Sequence, residues 1–128
     1  KEGAPAILET TGNPYAHLVL RGGSETGPNF DAASIESAVR LLRAVELPEV
    51  LMVDCSHGNS EKDANRQVDV AEAIMQNLRD SPVRALMLES NLVAGRQDVP
   101  VTYGQSITDA CLGFEETEAL LYRLADAV

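Results

Sequence analysis

Four residues spread along the chain are of types that bind metals or anions: Arg21, His57, Glu89 and Asp109. An imidazole with two carboxylates is a mixed nitrogen and oxygen donor set. It suits Mn2+, Fe2+, Co2+ or Zn2+ better than a purely hard cation such as Ca2+. Arg21 precedes Gly22-Gly23, where backbone N–H groups can approach a phosphate and the guanidinium adds a forked donor. Other chemistry is excluded or weakly carried. There is no G-x-G-x-x-G and no G-K-[ST], so nucleotide binding of those kinds has no support. Ser56 and Ser60 flank His57 without a G-x-S-x-G elbow, and read as loop and cap residues. Cys55 adjoins an apolar run and reads as an inert packing thiol.

The elements that must position these residues are legible from periodicity. Three apolar runs, 17–21, 50–54 and 85–89, show no polar alternation and read as strands covered on both faces, as parallel strands are. A further strand is expected at 6–10, ended by the turn residues Thr11-Gly12-Asn13-Pro14. Between the strands lie helices. One starts at the N-cap Asp31, carries Ile35, Ala38, Val39, Leu42 and Val45 on its apolar face and Glu36 with Arg40 outside, and stops at Pro48. The second runs from about Asp63 to Leu78, burying Val68, Ala71, Ile74, Met75 and Leu78. The third follows Gly113, with Glu115, Glu116 and Glu118 in its first turns and Leu120, Leu121, Leu124 and Val128 on its apolar face. The segment 90–113 has little regular pattern, and a loop of that length points to function.

This β-α-β-α-β-α order predicts parallel strands and right-handed crossovers. A doubly wound sheet and a (β/α)8 barrel both satisfy it. In either, ligands bind at the C-terminal ends of the strands, where Arg21, Asp54 with His57, and Glu89 fall. Asp109, just before the last helix, can fold back over that rim. Taken singly, each residue has a plainer reading: a hydrogen-bonded loop histidine, a strand-end cap, a turn arginine. Spacing alone leaves the metal site and these readings equally open.

Composition sets the bounds. The chain has 128 residues, 20 acidic and 10 basic side chains, a net charge of −10 and 45% apolar residues. Length predicts one domain, 1–128. The acidity argues against nucleic-acid or anionic-membrane partners, and no apolar run of about 18 residues predicts a membrane span. Cys55 and Cys111 are far apart, which fits a reducing, cytoplasmic compartment better than a disulfide scaffold.

Four motifs occur in order: Leu20-Arg21-Gly22-Gly23; Asp54-Cys55-Ser56-His57-Gly58-Asn59-Ser60; Leu88-Glu89-Ser90-Asn91-Leu92-Val93-Ala94-Gly95; and Tyr103-Gly104-Gln105-Ser106-Ile107-Thr108-Asp109-Ala110-Cys111. Their succession resembles the C-terminal part of type I 3-deoxy-D-arabino-heptulosonate 7-phosphate (DAHP) synthase, the first enzyme of the shikimate pathway and of aromatic amino acid biosynthesis. The resemblance covers nearly the whole chain. It implies about three consecutive βα units of a (β/α)8 barrel, a transferase that condenses phosphoenolpyruvate with erythrose 4-phosphate, and a divalent metal. It implies that His57, Glu89 and Asp109 match three of four metal ligands. Arg21 matches an arginine that binds phosphoenolpyruvate, and His57 is a candidate for assisting proton movement.

Asn91, Gly58 and Phe114 depart from the His, Ala and Trp common at those places. The family's fourth ligand, a cysteine in the N-terminal half, has no counterpart here, and neither do most of its phosphate-binding basic residues. Beyond Arg21 only Lys62 and Arg96 suggest themselves. The expectation is therefore a fragment that is inactive alone and forms a homo-oligomer or associates with the missing half. The rivals are a non-catalytic α/β module with a residual metal or phosphate site, and one half of a split enzyme.

Overall fold

The structure is a computed structural model that describes all residues except Lys1, Glu2, Ala4, Pro5, Asn77, Leu78, Asp80 and Val128. In chain order it contains β1 (Leu18–Leu20), α1 (Ala32–Ala44), β2 (Leu51–Asp54), α2 (Arg66–Met75), β3 (Val83–Met87), β4 (Val93–Arg96), β5 (Gln105–Ser106) and α3 (Phe114–Ala127). β1, β2 and β3 form one parallel sheet in sequential order, with Leu20 opposite Val53 and Asp54 opposite Met87. The order never reverses, as it would at the switch point of a doubly wound sheet. Three consecutive βα units in this order match a stretch of (β/α)8 barrel wall.

The helices cover one face of the sheet. Leu20, Leu51, Val53, Cys55 and Val83 pack there against Ala38 and Leu42 of α1, Val70, Ala71 and Ile74 of α2, and Leu120 of α3. The residues of opposite parity, Val19, Met52, Asp54, Ala85 and Met87, share the other face by register. No element covers that face among the described residues, and Val19 is 40% exposed. The expectation of strands covered on both faces is thus half met. In a closed barrel the inner face is filled by side chains from strands across the interior, and three strands cannot supply them.

Helix α1 begins as expected. Asp31 accepts hydrogen bonds from the Ala33 and Ser34 N–H groups, both at 3.0 Å, and from Ser34 Oγ at 2.6 Å. Ala38 and Leu42 are buried and Glu36 pairs with Arg40 on the outside. Val45, expected on the apolar face, is the C-cap and lies exposed.

Other expectations need correction. Residues 6–10 form no strand, and Ile7 and Leu8 lie almost fully in solvent. Helix α2 starts at Arg66, not near Asp63. Left-handed backbone at His57, Glu61 and Lys62 shapes the loop before it, and turn bonds hold the next residues, from the Asn65 N–H to Asp63 Oδ1 and from the Arg66 N–H to the Asp63 carbonyl. The expected helix end at Leu78, and Val128 on the face of α3, lie outside the described residues. Leu121 is exposed on α3, although Leu120 is fully buried.

The segment 90–113 is a folded excursion. β4 and β5 pair in parallel, and isolated bridges join Ser90 with Leu112 and Gly95 with Cys111. Gln97 pins its tip. Its amide nitrogen donates to the Thr102 and Gln105 carbonyls and its oxygen accepts from the Val101 and Thr102 N–H groups. Sequence patterning misses this because the strands are short and held by side chains.

Candidate metal centre

The C-terminal ends of the sheet strands bring the predicted residues to one rim. Arg21 follows β1, Asp54 ends β2 with His57 three residues on, and Glu89 lies two residues beyond β3. The excursion returns Asp109 to the same place. One ligand atom each from His57, Glu89 and Asp109 lies within 4.8 Å of the others. Ser56, Lys62, Ala64 and Ala110 complete the lining of a cleft of about 40 Å³ around them.

The loop after β2 is built to present His57. Asp54 is fully buried and accepts from the Ser56 N–H at 2.8 Å. Its Oδ2 lies 2.7 Å from His57 Nδ1. That contact puts a proton on Nδ1 and leaves the Nε2 lone pair directed outward. His57 itself takes φ +49°, an uncommon conformation for a non-glycine residue. Asn59, fully buried, donates to the Leu20 and Asp54 carbonyls and accepts from the Asn29 N–H, which ties the ends of β1 and β2 together. Gly22, at φ +65°, and Gly23 press against Gly58. A Cβ on Gly58 would lie 2.5 Å from the Gly23 nitrogen, so glycine at this departure from the family pattern has no room to be alanine here.

His57 Nε2 lies 3.3 Å from Glu89 Oε1. With the histidine neutral, that contact sets a lone pair against a carboxylate, which needs a proton or cation between them. Glu89 Oε2 is buried and has no hydrogen-bond partner. A buried unpaired carboxylate oxygen is costly, and a divalent cation held by the three residues removes that cost. The donor set and this orphaned oxygen therefore fit a metal.

Arg21 reaches the same rim. Its Nε is 3.6 Å from Asp54 Oδ2, while its side chain stays 59% exposed, leaving guanidinium donors free for an anion. Lys62 lines the cleft, whereas Arg96 is paired with Asp98 on the excursion. Arg96 is accordingly not a rim cation. Ser56 serves through its N–H, and Ser60 Oγ donates to the His57 carbonyl at 3.4 Å, so both are structural. Burial pushes the Cys55 thiol up to about 12, with Asp54 beside it adding to the effect, which makes it the inert thiol expected.

Three residues escaped the sequence reading: Asp54 as the partner of His57, Asn59, and Gln67 of α2. Gln67 is fully buried. Its Nε2 donates to the Glu89 carbonyl at 3.2 Å and its Oε1 accepts from the Glu89 N–H at 2.8 Å. The Asp-x-x-His spacing offered a signal for Asp54. Nothing in the pattern marks Asn59 or Gln67, since polar residues at those places are ordinarily exposed.

A family model described as the DAHP synthetase I family matches residues 2–122. The Trp-sensitive phospho-2-dehydro-3-deoxyheptonate aldolase of Escherichia coli K12 is 46% identical over 134 positions, covering all of this chain and 38% of that protein. The tyrosine-inhibited enzyme of Schizosaccharomyces pombe is 41% identical over 138 positions, covering 37% of its length. The solved phospho-2-dehydro-3-deoxyheptonate aldolase of Francisella tularensis SCHU S4 superposes with a TM-score of 0.87 at 45% identity, over 96% of this chain and 37% of that one. The chain thus spans about two-fifths of the relatives it matches. These matches establish the family and the fraction covered; they do not support the expected C-terminal placement within it.

Proposed function

Because the chain belongs to the DAHP synthetase I family, we propose that it carries the metal-binding rim of an enzyme that condenses phosphoenolpyruvate with erythrose 4-phosphate. The observation that carries this reading is the convergence of His57, Glu89 and Asp109 within 4.8 Å, with Glu89 Oε2 buried and unpartnered among them. These three residues hold a divalent cation such as Mn2+, Fe2+, Co2+ or Zn2+. When bound, the cation supplies Lewis acidity toward the aldehyde oxygen of erythrose 4-phosphate.

The chain's own residues do the rest of the work assigned to it. Asp54 accepts the His57 Nδ1 proton and so fixes the ring with Nε2 toward the cleft. Arg21 binds the phosphate of phosphoenolpyruvate through the donors that its contact with Asp54 leaves free. In the condensation, the enol carbon of phosphoenolpyruvate forms the new C–C bond with the aldehyde carbon, water adds to the neighbouring enol carbon, and inorganic phosphate leaves. Further cations for the two phosphorylated substrates come from the part of the enzyme beyond these residues. The free thiols fit a cytoplasmic enzyme.

Metal titration of the intact protein tests this. His57→Ala and Glu89→Ala are each expected to weaken Mn2+ binding by at least about tenfold and to abolish turnover in a coupled phosphate-release assay. Unchanged metal affinity in either variant overturns the site.

A further inference from the structure

We propose that Gln67 is a positioning residue for the metal centre, setting the direction of the Glu89 carboxylate. This rests on the proposed metal reading of His57, Glu89 and Asp109. Burying an amide is unfavourable unless its polar atoms are paired, and Gln67 pairs both groups with the main chain of one residue, Glu89.

The place of that contact gives it meaning. The last ladder bond between β2 and β3 in this region runs from the Cys55 N–H to the Met87 carbonyl. Beyond it the chain leaves β2 for the His57 loop, so Glu89 would lack a strand partner on that side. The Gln67 amide takes the place of that missing strand. From the other side, the Leu112 N–H donates to the Glu89 carbonyl at 2.9 Å, and Leu112 belongs to the segment that returns Asp109. Gln67 sits in the first turn of α2, directly after the turns that follow His57. One hydrogen-bonded frame therefore joins the three segments bearing the ligands, and Gln67 closes it between the His57 and Glu89 segments. Glu89 Oε2 has no hydrogen bond of its own and Oε1 has only the 3.3 Å contact with His57 Nε2, so the placement of the Glu89 main chain sets where the carboxylate starts from.

The experiment uses the intact protein and reads Mn2+ affinity, the visible spectrum of the Co2+-loaded form and the thermal midpoint. Gln67→Met keeps length and removes both bonds; Gln67→Glu keeps the acceptor and loses the donor. Val70→Ala loosens the core of the same helix without touching Glu89 and serves as the control. Gln67→Met is expected to raise the Mn2+ Kd about tenfold or more and to shift the Co2+ absorption, as loss of a supporting group does at metal sites. Gln67→Glu, whose new oxygen faces the Glu89 carbonyl where the amide donated, should show the same changes to at least the same degree, and remains informative if the methionine variant does not fold. Val70→Ala should lower the thermal midpoint with Kd unchanged. Gln67 variants that lose thermal stability but keep Kd and spectrum overturn the proposal, as does a Val70→Ala variant that weakens metal binding equally. Glu89→Ala separates the two readings. If it leaves Mn2+ affinity intact the metal site itself fails; if it weakens binding while the Gln67 variants do not, only the positioning role falls.

Discussion

Asp54 and His57 act as one unit, because a neutral imidazole presents Nε2 as a donor atom only when Nδ1 holds the proton. The 2.7 Å contact to a fully buried carboxylate enforces that state. Asp54→Asn keeps size and removes the charge, and the amide can turn its NH2 toward Nδ1. That favours the tautomer with the proton on Nε2, where it blocks the lone pair. The expected outcome in the intact protein is a loss of about 10- to 100-fold in Mn2+ affinity. The Arg21 contact to the same carboxylate loosens as well, so the KM for phosphoenolpyruvate should rise. Titration calorimetry and initial-rate kinetics check the two effects separately, and wild-type metal affinity in Asp54→Asn refutes the tautomer argument. At this scale the candidate ligands were legible because His, Glu and Asp are the residue types that bind metals and because strand ends locate them. Their supports were not, because Asn59 and Gln67 are buried only through tertiary contacts with main-chain groups far away in sequence.

At the scale of elements, α1 shows how local chemistry sets a boundary that periodicity only approximates. The Ser34 hydroxyl, followed by the backbone N–H groups of the first turn, holds the Asp31 carboxyl below its usual pKa. Its folded pKa is depressed, so the stabilisation is present above the unfolded value of about 3.9 and is lost as pH falls through the folded one. Asp31→Ala should cost about 1 kcal/mol at pH 7, measured as a shift in the urea midpoint, and the gap should close below about pH 4. A gap that does not narrow as pH falls on through the lowered folded pKa assigns the effect to something other than the charged cap. The helices and sheet strands were readable because apolar stripes and caps are local signals. The start of α2 was misplaced because Asp63 closes a local turn, accepting from the Asn65 N–H through its side chain and from the Arg66 N–H through its carbonyl, where an N-cap reading expects a helix. The fold of 90–113 was missed because side-chain bonds from Gln97, not an apolar pattern, hold it.

For the whole molecule, the charge of −10 and the open sheet face belong together. Three acids gather at the rim against Arg21 and Lys62, a balance suited to a divalent cation and poorly suited to two phosphorylated substrates. The outer strands β1 and β3 each have an unpaired edge among the described residues, and such edges seek partners. Among the described residues, Val19 and its neighbours on the open face meet no opposing strand. The isolated chain should therefore retain metal binding of reduced affinity but catalyse no condensation. A coupled phosphate-release assay with Mn2+ and both substrates checks this, together with sedimentation to see whether the free edges drive self-association. Steady turnover by the isolated chain refutes the argument from missing cations. Turnover confined to an assembled oligomer locates those cations in a neighbouring copy, and the acidic rim then becomes one half of a site completed between chains.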